Sequence, residues 1–284
     1  MVLGACADPA PQTGVWERSA PGPSARDRSM VPATQSFTGQ SSVPTGTSRP
    51  DRDRIVSMFA GRKPRAWGLT PPGVALSLPK GTKSIALTFD CCGGPGGSGF
   101  DRSLLAALER HSVPATFFLN ARWVRSNPAL TRELAANPSF EIANHGTAHR
   151  PLSVTGQSAY GLVGTADPGM VYDEIMGAQA ELTAATGSAP RFFRSGTAHY
   201  DEIAVEICRA LRLVPVNFTV NGDGGATYPA PFVTGELLSA RPGSIIIAHA
   251  NRPEAGTGAG VAAALPRMMG QGTRFIRLSD APPI

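Results

Sequence analysis

The sequence predicts an α/β protein of seven strand–helix units behind an unstructured N-terminal segment. Three observations predict it. From Ser84 onward, apolar runs of strand length alternate with stripes at helical spacing. Most of the connections between them are short. The side chains best able to do chemistry fall just past the ends of the strand runs.

Taken in order, residues 1–53 come first. From Ala7 they are rich in Pro, Ser, Thr, Gly and Arg with almost no apolar periodicity, and such a segment cannot bury enough surface to offset its ordering entropy. It reads as a flexible tether. Leu3-Gly4-Ala5-Cys6 looks like a lipobox, with Cys6 as the lipidated residue, although only Met1 and Val2 stand before it where an apolar run is expected. Residues 54–83 form a preface expected to pack on the main domain, with Met58 and Trp67 as its packing residues. Residues 84–284 carry the regular pattern.

Within that domain the expected strands are Ser84–Phe89, Ala115–Leu119, Phe140–Ala143, Arg191–Phe193, Leu213–Val220, Ser244–Ala248 and Thr273–Leu278. Helical stripes lie between them: Leu104, Leu105 and Leu108; Leu130 and Leu134; Val171, Ile175, Ala178 and Leu182; Ile203, Ile207 and Leu211; Val261, Leu265 and Met268. Strands alternating with helices argue for parallel β/α units, in a doubly wound sheet or a barrel; the pattern alone does not choose. The stretch from His149 to about Gly169 matches neither pattern and is expected to be a long loop, functional or disordered.

Composition limits the function. The net charge of +5 and pI of about 9.3 suit an anionic partner such as a cell-wall polymer. No basic run interleaved with aromatics appears, so nucleic acid is not expected as a partner. No stretch approaches the ~20 apolar residues that span a bilayer. Four cysteines are too few for a disulfide scaffold, and Cys208, in an apolar helical stripe, is expected in the core.

Asp90 follows the first strand, Asn144, His145 and His149 the third, Arg194 the fourth, Asn221 and Asp223 the fifth, and His249 the sixth. In a β/α barrel the carboxyl ends of the strands build the active site. His145 and His149, in His-Gly-Thr-Ala-His, can meet on one turn and share a metal. Asp90 closes an apolar run, where a carboxylate is costly unless paired, and Arg194 is its natural partner. The glycine-rich stretch after Cys91 and Cys92 can turn sharply and bring backbone N–H groups to a ligand.

Thr88-Phe89-Asp90, then His145 to His149, then Arg194 in Phe-Phe-Arg-Ser-Gly, then Ile247-Ala248-His249 resemble the ordered motifs of the polysaccharide deacetylases, carbohydrate esterase family four, the NodB homology domain. The resemblance runs from Ser84 to Leu278. It implies a distorted barrel of seven β/α units and a hydrolase that removes N-acetyl, sometimes O-acetyl, groups from a glycan with a divalent metal, usually zinc. It implies Asp90 as catalytic base, Arg194 as its holder, His249 as general acid, His145 and His149 as metal ligands, and, by a looser alignment, Asp223 as the residue that tunes His249.

Two departures accompany it. The family's second aspartate, its third metal ligand, is replaced by Cys91; Cys91 or Cys92 as thiolate would serve, or the site keeps two histidines. The arginine motif reads Arg194-Ser195-Gly196-Thr197-Ala198-His199-Tyr200 in place of Arg-x-Pro-Tyr. Thr197 N–H remains a candidate donor to an oxyanion, while His199 and Asn144 are expected in substrate contact or behind the ligands. The function expected is deacetylation of a cell-wall glycan by a secreted or envelope protein, Cys6 being the candidate lipid anchor. The alternatives are a small-molecule amide hydrolase on the same scaffold and an inactive glycan-binding barrel.

Overall fold

In the computed structural model the described residues are 49–283; the segment bearing the Cys6 motif and most of the expected tether lie outside them. In chain order the elements are α1 (Arg52–Phe59), β1 (Trp67–Gly68), β2 (Ile85–Cys91), α2 (Arg102–Arg110), β3 (Ala115–Leu119), α3 (Ala121–Ser126), α4 (Pro128–Ala136), β4 (Phe140–Asn144) and α5 (Pro168–Thr186). There follow β5 (Phe192–Phe193), β6 (Tyr200–Asp201), α6 (Glu202–Ala210), β7 (Val214–Pro215), β8 (Val220–Asn221), α7 (Ala230–Ser239), β9 (Ile245–His249), α8 (Thr257–Gly270) and β10 (Phe275–Ile276).

The main sheet is parallel and curls into a half-barrel in the order β7-β5-β4-β3-β2-β9-β8, with β10 paired to the start of β2. The barrel alternative of the sequence is therefore the one adopted. Ala75 pairs with Val216 and Ser77 with Ser244, so the preface runs across the gap between the two edges. The expected single strand Leu213–Val220 is instead two short ones, β7 and β8, on opposite edges of the sheet. Pro215 brings no N–H to the ladder, and Asn217 between them turns its side chain to backbone carbonyls.

Helix starts follow the sequence. Asp101 caps α2 by accepting from Ser103 and Leu104 N–H; Asp167 caps α5 and Asp201 caps α6 in the same manner. Gly187, at φ 74°, ends α5 in the left-handed conformation. Met58, expected to pack, is 42% exposed; Ile55 and Phe59 on the other face of α1 are the buried pair. Cys208 is buried, as its stripe predicts.

Strand alternation decides what faces the barrel interior. Ala86, Phe118, Ala143, Phe192 and Ile245 share one cluster with Leu78 and Leu278 inside the curl. Leu87, Phe89 and Cys91 belong to a different cluster, packed with α2 and α8. Ala86, Thr88 and Asp90 therefore point inward, and Asp90 arrives at the carboxyl end of β2.

Candidate active site

Asp90 is buried, as is Arg194. One guanidinium nitrogen of Arg194 donates to Asp90 Oδ1 at 2.7 Å. Arg194 also donates to the carbonyls of Asn217 (3.2 Å) and Val216 (3.3 Å), and its guanidinium lies 4.1 Å from the Phe118 ring centroid. The cation is fixed on three sides before it meets the carboxylate. Burial opposes charge on Asp90, but Arg194, His145 and His249 outweigh it and hold the carboxyl below its ordinary pKa.

His145 Nε2 lies 3.6 Å from Asp90 Oδ2. Its Nδ1–H donates to the Arg194 carbonyl at 2.9 Å, so the neutral ring presents the Nε2 lone pair. The His149 ring is 4.9 Å away, centroid to centroid, and nearly perpendicular. Burial lowers the pKa of both imidazoles, His149 far more than His145. Neutral imidazole is the form that ligates metal.

The sulfur beside them belongs to Cys92, not Cys91. Cys92 Sγ is 3.8 Å from His145 Nε2, and the donor atoms of Cys92, His145 and His149 lie within 4.8 Å of one another. Cys91 is the last residue of β2; alternation turns it to the outer core, where burial pushes its thiol pKa well up. An imidazole–thiolate edge in a tetrahedral zinc site measures about 3.4–3.7 Å for bonds of 2.0–2.3 Å. The Cys92–His145 separation is close to that edge; Cys92, whose sulfur is in a disulfide in the structure, would join the two imidazoles only as a reduced thiolate.

The histidine turn is built on α5. Glu174 is buried and accepts from Ala148 N–H with both oxygens (3.0 Å each) and from Arg150 N–H (3.2 Å). Gly146, at φ 80°, lies so close that an added Cβ would stand 2.4 Å from a Glu174 oxygen. Burial raises the Glu174 pKa to about 7 against those backbone donors. Sequence reasoning missed Glu174; the signal was an acidic residue beside Ile175 in an otherwise apolar stripe. On the other side Gly196 packs on the backbone of His149, where a Cβ would meet its carbonyl carbon at 2.3 Å. His149 and Ala198 hold positive φ (61° and 59°) around this contact.

On β9, as the register partner of Asp90, stands His249. Its Nδ1 lies 2.9 Å from Asp223 Oδ1, and its backbone N–H donates to Asp223 Oδ2 at 2.7 Å. Thr257 and Gly225 also donate to this carboxylate. Burial works to lower the His249 pKa, but the Asp223 charge and hydrogen bond prevail and raise it.

The remaining sequence candidates are placed differently. Asn144 faces away from the histidines: its amide donates to the Ile175 carbonyl and Gln179, and it accepts from Gly146 N–H. It buttresses the turn from behind. Thr197 is buried and its hydroxyl has no partner among the described residues. His199 donates from Nδ1 to the Thr197 carbonyl (2.7 Å) and packs between Trp67 and Tyr160. The stretch 149–167 does form a loop, with a tight turn bridged between Ala159 and Leu162.

Known proteins share this arrangement of elements. The sequence profile of the polysaccharide deacetylases matches residues 77–216. A chitooligosaccharide deacetylase of Bradyrhizobium sp. is 30% identical over 61% of this chain and 73% of its own length. The peptidoglycan-N-acetylglucosamine deacetylase PgdA of Listeria monocytogenes is 29% identical over 71% of this chain but only 39% of its own. A carbohydrate esterase family four pseudoenzyme from Bacillus anthracis has the same fold, with a TM-score of 0.63 at 19% identity over 75% of this chain and 69% of its own. With its motifs in family order on the family's fold, and a 30% identical relative covered over most of its length, the chain belongs to the polysaccharide deacetylase family, carbohydrate esterase family four.

Proposed function

We propose that the protein removes N-acetyl groups from a cell-wall polysaccharide, peptidoglycan or a chitin-like glycan, as a metal-dependent hydrolase. The observation that carries this reading is the pairing of a buried carboxylate salt-bridged to Arg194 with a histidine hydrogen-bonded to the Asp223 carboxylate, on neighbouring strands and beside the imidazoles of His145 and His149. A binding protein gains nothing from such an acid–base pair.

His145 and His149, with Cys92 as reduced thiolate, would hold the cation, zinc in our reading. A divalent ion bound there supplies Lewis-acid polarisation of the acetyl carbonyl. Asp90 takes the proton of the attacking water as its oxygen bonds to the carbonyl carbon. Arg194 keeps Asp90 deprotonated and oriented for this. The Thr197 N–H is the candidate donor to the developing oxyanion. As the carbon–nitrogen bond breaks, His249 Nε2–H gives its proton to the leaving nitrogen, leaving an amine and acetate. Asp223, on Nδ1, stabilises the imidazolium until then.

The basic charge and the N-terminal composition support placement at the cell envelope or in the exterior, with Cys6 as the candidate lipid anchor. No helix of the described residues is long and apolar enough to cross a membrane. The test is acetate release from chitooligosaccharides and from peptidoglycan by protein prepared with reductant. Activity should vanish on chelation and return with zinc. Release of acetate from neither glycan at full metal occupancy would overturn the reading.

A further inference from the structure

We propose that Trp67, His199 and Tyr160 form a subsite that stacks a pyranose ring of the glycan beside the Asp90 centre. The inference rests on the glycan reading above and adds the residues that grip the polymer away from the reacting acetyl group.

The three rings come from three separate stretches. The His199 ring is 5.7 Å from Trp67, tilted by 42°, and 5.1 Å from Tyr160, edge to face at 89°. Core aromatics are buried, whereas Trp67 and His199 are half-buried and Tyr160 is 45% exposed. Amphipathic rings gathered at a surface mark a binding face more often than a packing accident.

Trp67 is placed there by dedicated structure. β1 is two residues long and pairs with β6 in a small sheet separate from the main one, Trp67 opposite Asp201 and Gly68 opposite Tyr200. Asn217 ties the two chains again, its amide donating to the carbonyls of Leu69 and Ala198. Trp67 lies outside the stretch matched by the family profile, so this ring of the subsite comes from the chain's own preface, while Tyr160 and His199 lie within it.

The cluster is tied to the reaction centre through one short segment. Arg194, which holds Asp90, and His199 belong to one six-residue segment that also carries Thr197 and the Gly196 contact with His149. The polar complement is present too. His199 Nδ1 is committed to the Thr197 carbonyl, which leaves Nε2 of the neutral ring as an acceptor, and burial lowers the pKa of that ring. Aromatic faces for C–H groups and nearby acceptors for hydroxyls are what a pyranose requires, and what a purely apolar ligand does not.

The test uses the full chain with Trp67→Ala, Trp67→Leu and His199→Ala, assayed for acetate release on N-acetylglucosamine oligomers of increasing length. The loss in kcat/KM should reach about tenfold on the longer oligomers, be carried by KM, and shrink on the shortest. Trp67→Leu keeps apolar bulk without the aromatic face, so it should fold and still show the loss. Equal losses at every length, or a loss confined to kcat, would overturn the subsite. Affinity for a long oligomer, measured by titration calorimetry on Asp90→Asn, separates the two claims. Binding weakened by Trp67→Leu supports the subsite even if no acetate is released. Binding indifferent to it, or no binding, refutes it.

Discussion

Asp90 and His249 are register partners on adjacent parallel strands, and each is gripped by one buried group of opposite charge. The two grips act in opposite senses. Arg194 lowers the pKa of Asp90, and Asp223 raises that of His249. In the proposed mechanism these opposite shifts suit the pair to act as base and acid.

Replacing Asp223 by Asn should move the alkaline limb of the activity profile to lower pH. The Asp223 charge is what raises the His249 pKa against its burial, so without it the imidazolium is lost earlier as pH rises. The acid limb, set elsewhere, should stay. A pH–rate profile of kcat/KM on one oligomer checks this, and an unmoved alkaline limb would remove His249 as the acid.

Replacing Arg194 by Met should cost stability as well as activity. It leaves Asp90 buried without its counterion and frees two backbone carbonyls inside the barrel mouth. Breaking a buried pair from one side typically costs about 3–5 kcal/mol. Urea unfolding should show the loss at neutral pH and recover part of it as pH falls and Asp90 is protonated.

Glu174→Ala should lower metal affinity about tenfold although Glu174 is not proposed as a ligand. The His145–His149 turn would lose its acceptor, leaving the Ala148 and Arg150 N–H groups unpaired at about 1–3 kcal/mol. Metal titration followed by competition with a chromophoric chelator reads the effect. Unchanged affinity would show that the turn holds its shape without the carboxylate.

Cys91→Ala and Cys92→Ala should separate cleanly under reducing conditions. The first removes a core sulfur and should cost about 1 kcal/mol or somewhat more of stability with metal content intact. The second should weaken metal binding. The reverse pattern would reassign the sulfur.

Much of this was legible in the sequence. The longer strands were visible because buried parallel strands read as apolar runs, and Ala115–Leu119 has the expected bounds. β1 and β6 were not, since two residues carry no periodicity. α7 and α1 lack a clean apolar stripe; only Val233 and Leu237 are buried on α7. Asp90, His145, His149, Arg194 and His249 could be chosen from strand-end position, and the structure brings them together. The choice between Cys91 and Cys92 could not be made on counting positions in the motif, because the alternation of β2 decides it. Glu174 escaped because its role is to hold backbone, which leaves no spacing signature.

The central claim is that Asp90 is the base of a metal-assisted deacetylation. The most direct measurement is acetate release from a chitooligosaccharide by wild type and Asp90→Asn, with metal content determined on the same samples. The account predicts equal metal in both and a rate for the variant at least about a hundredfold lower. Comparable rates at equal metal content would contradict it.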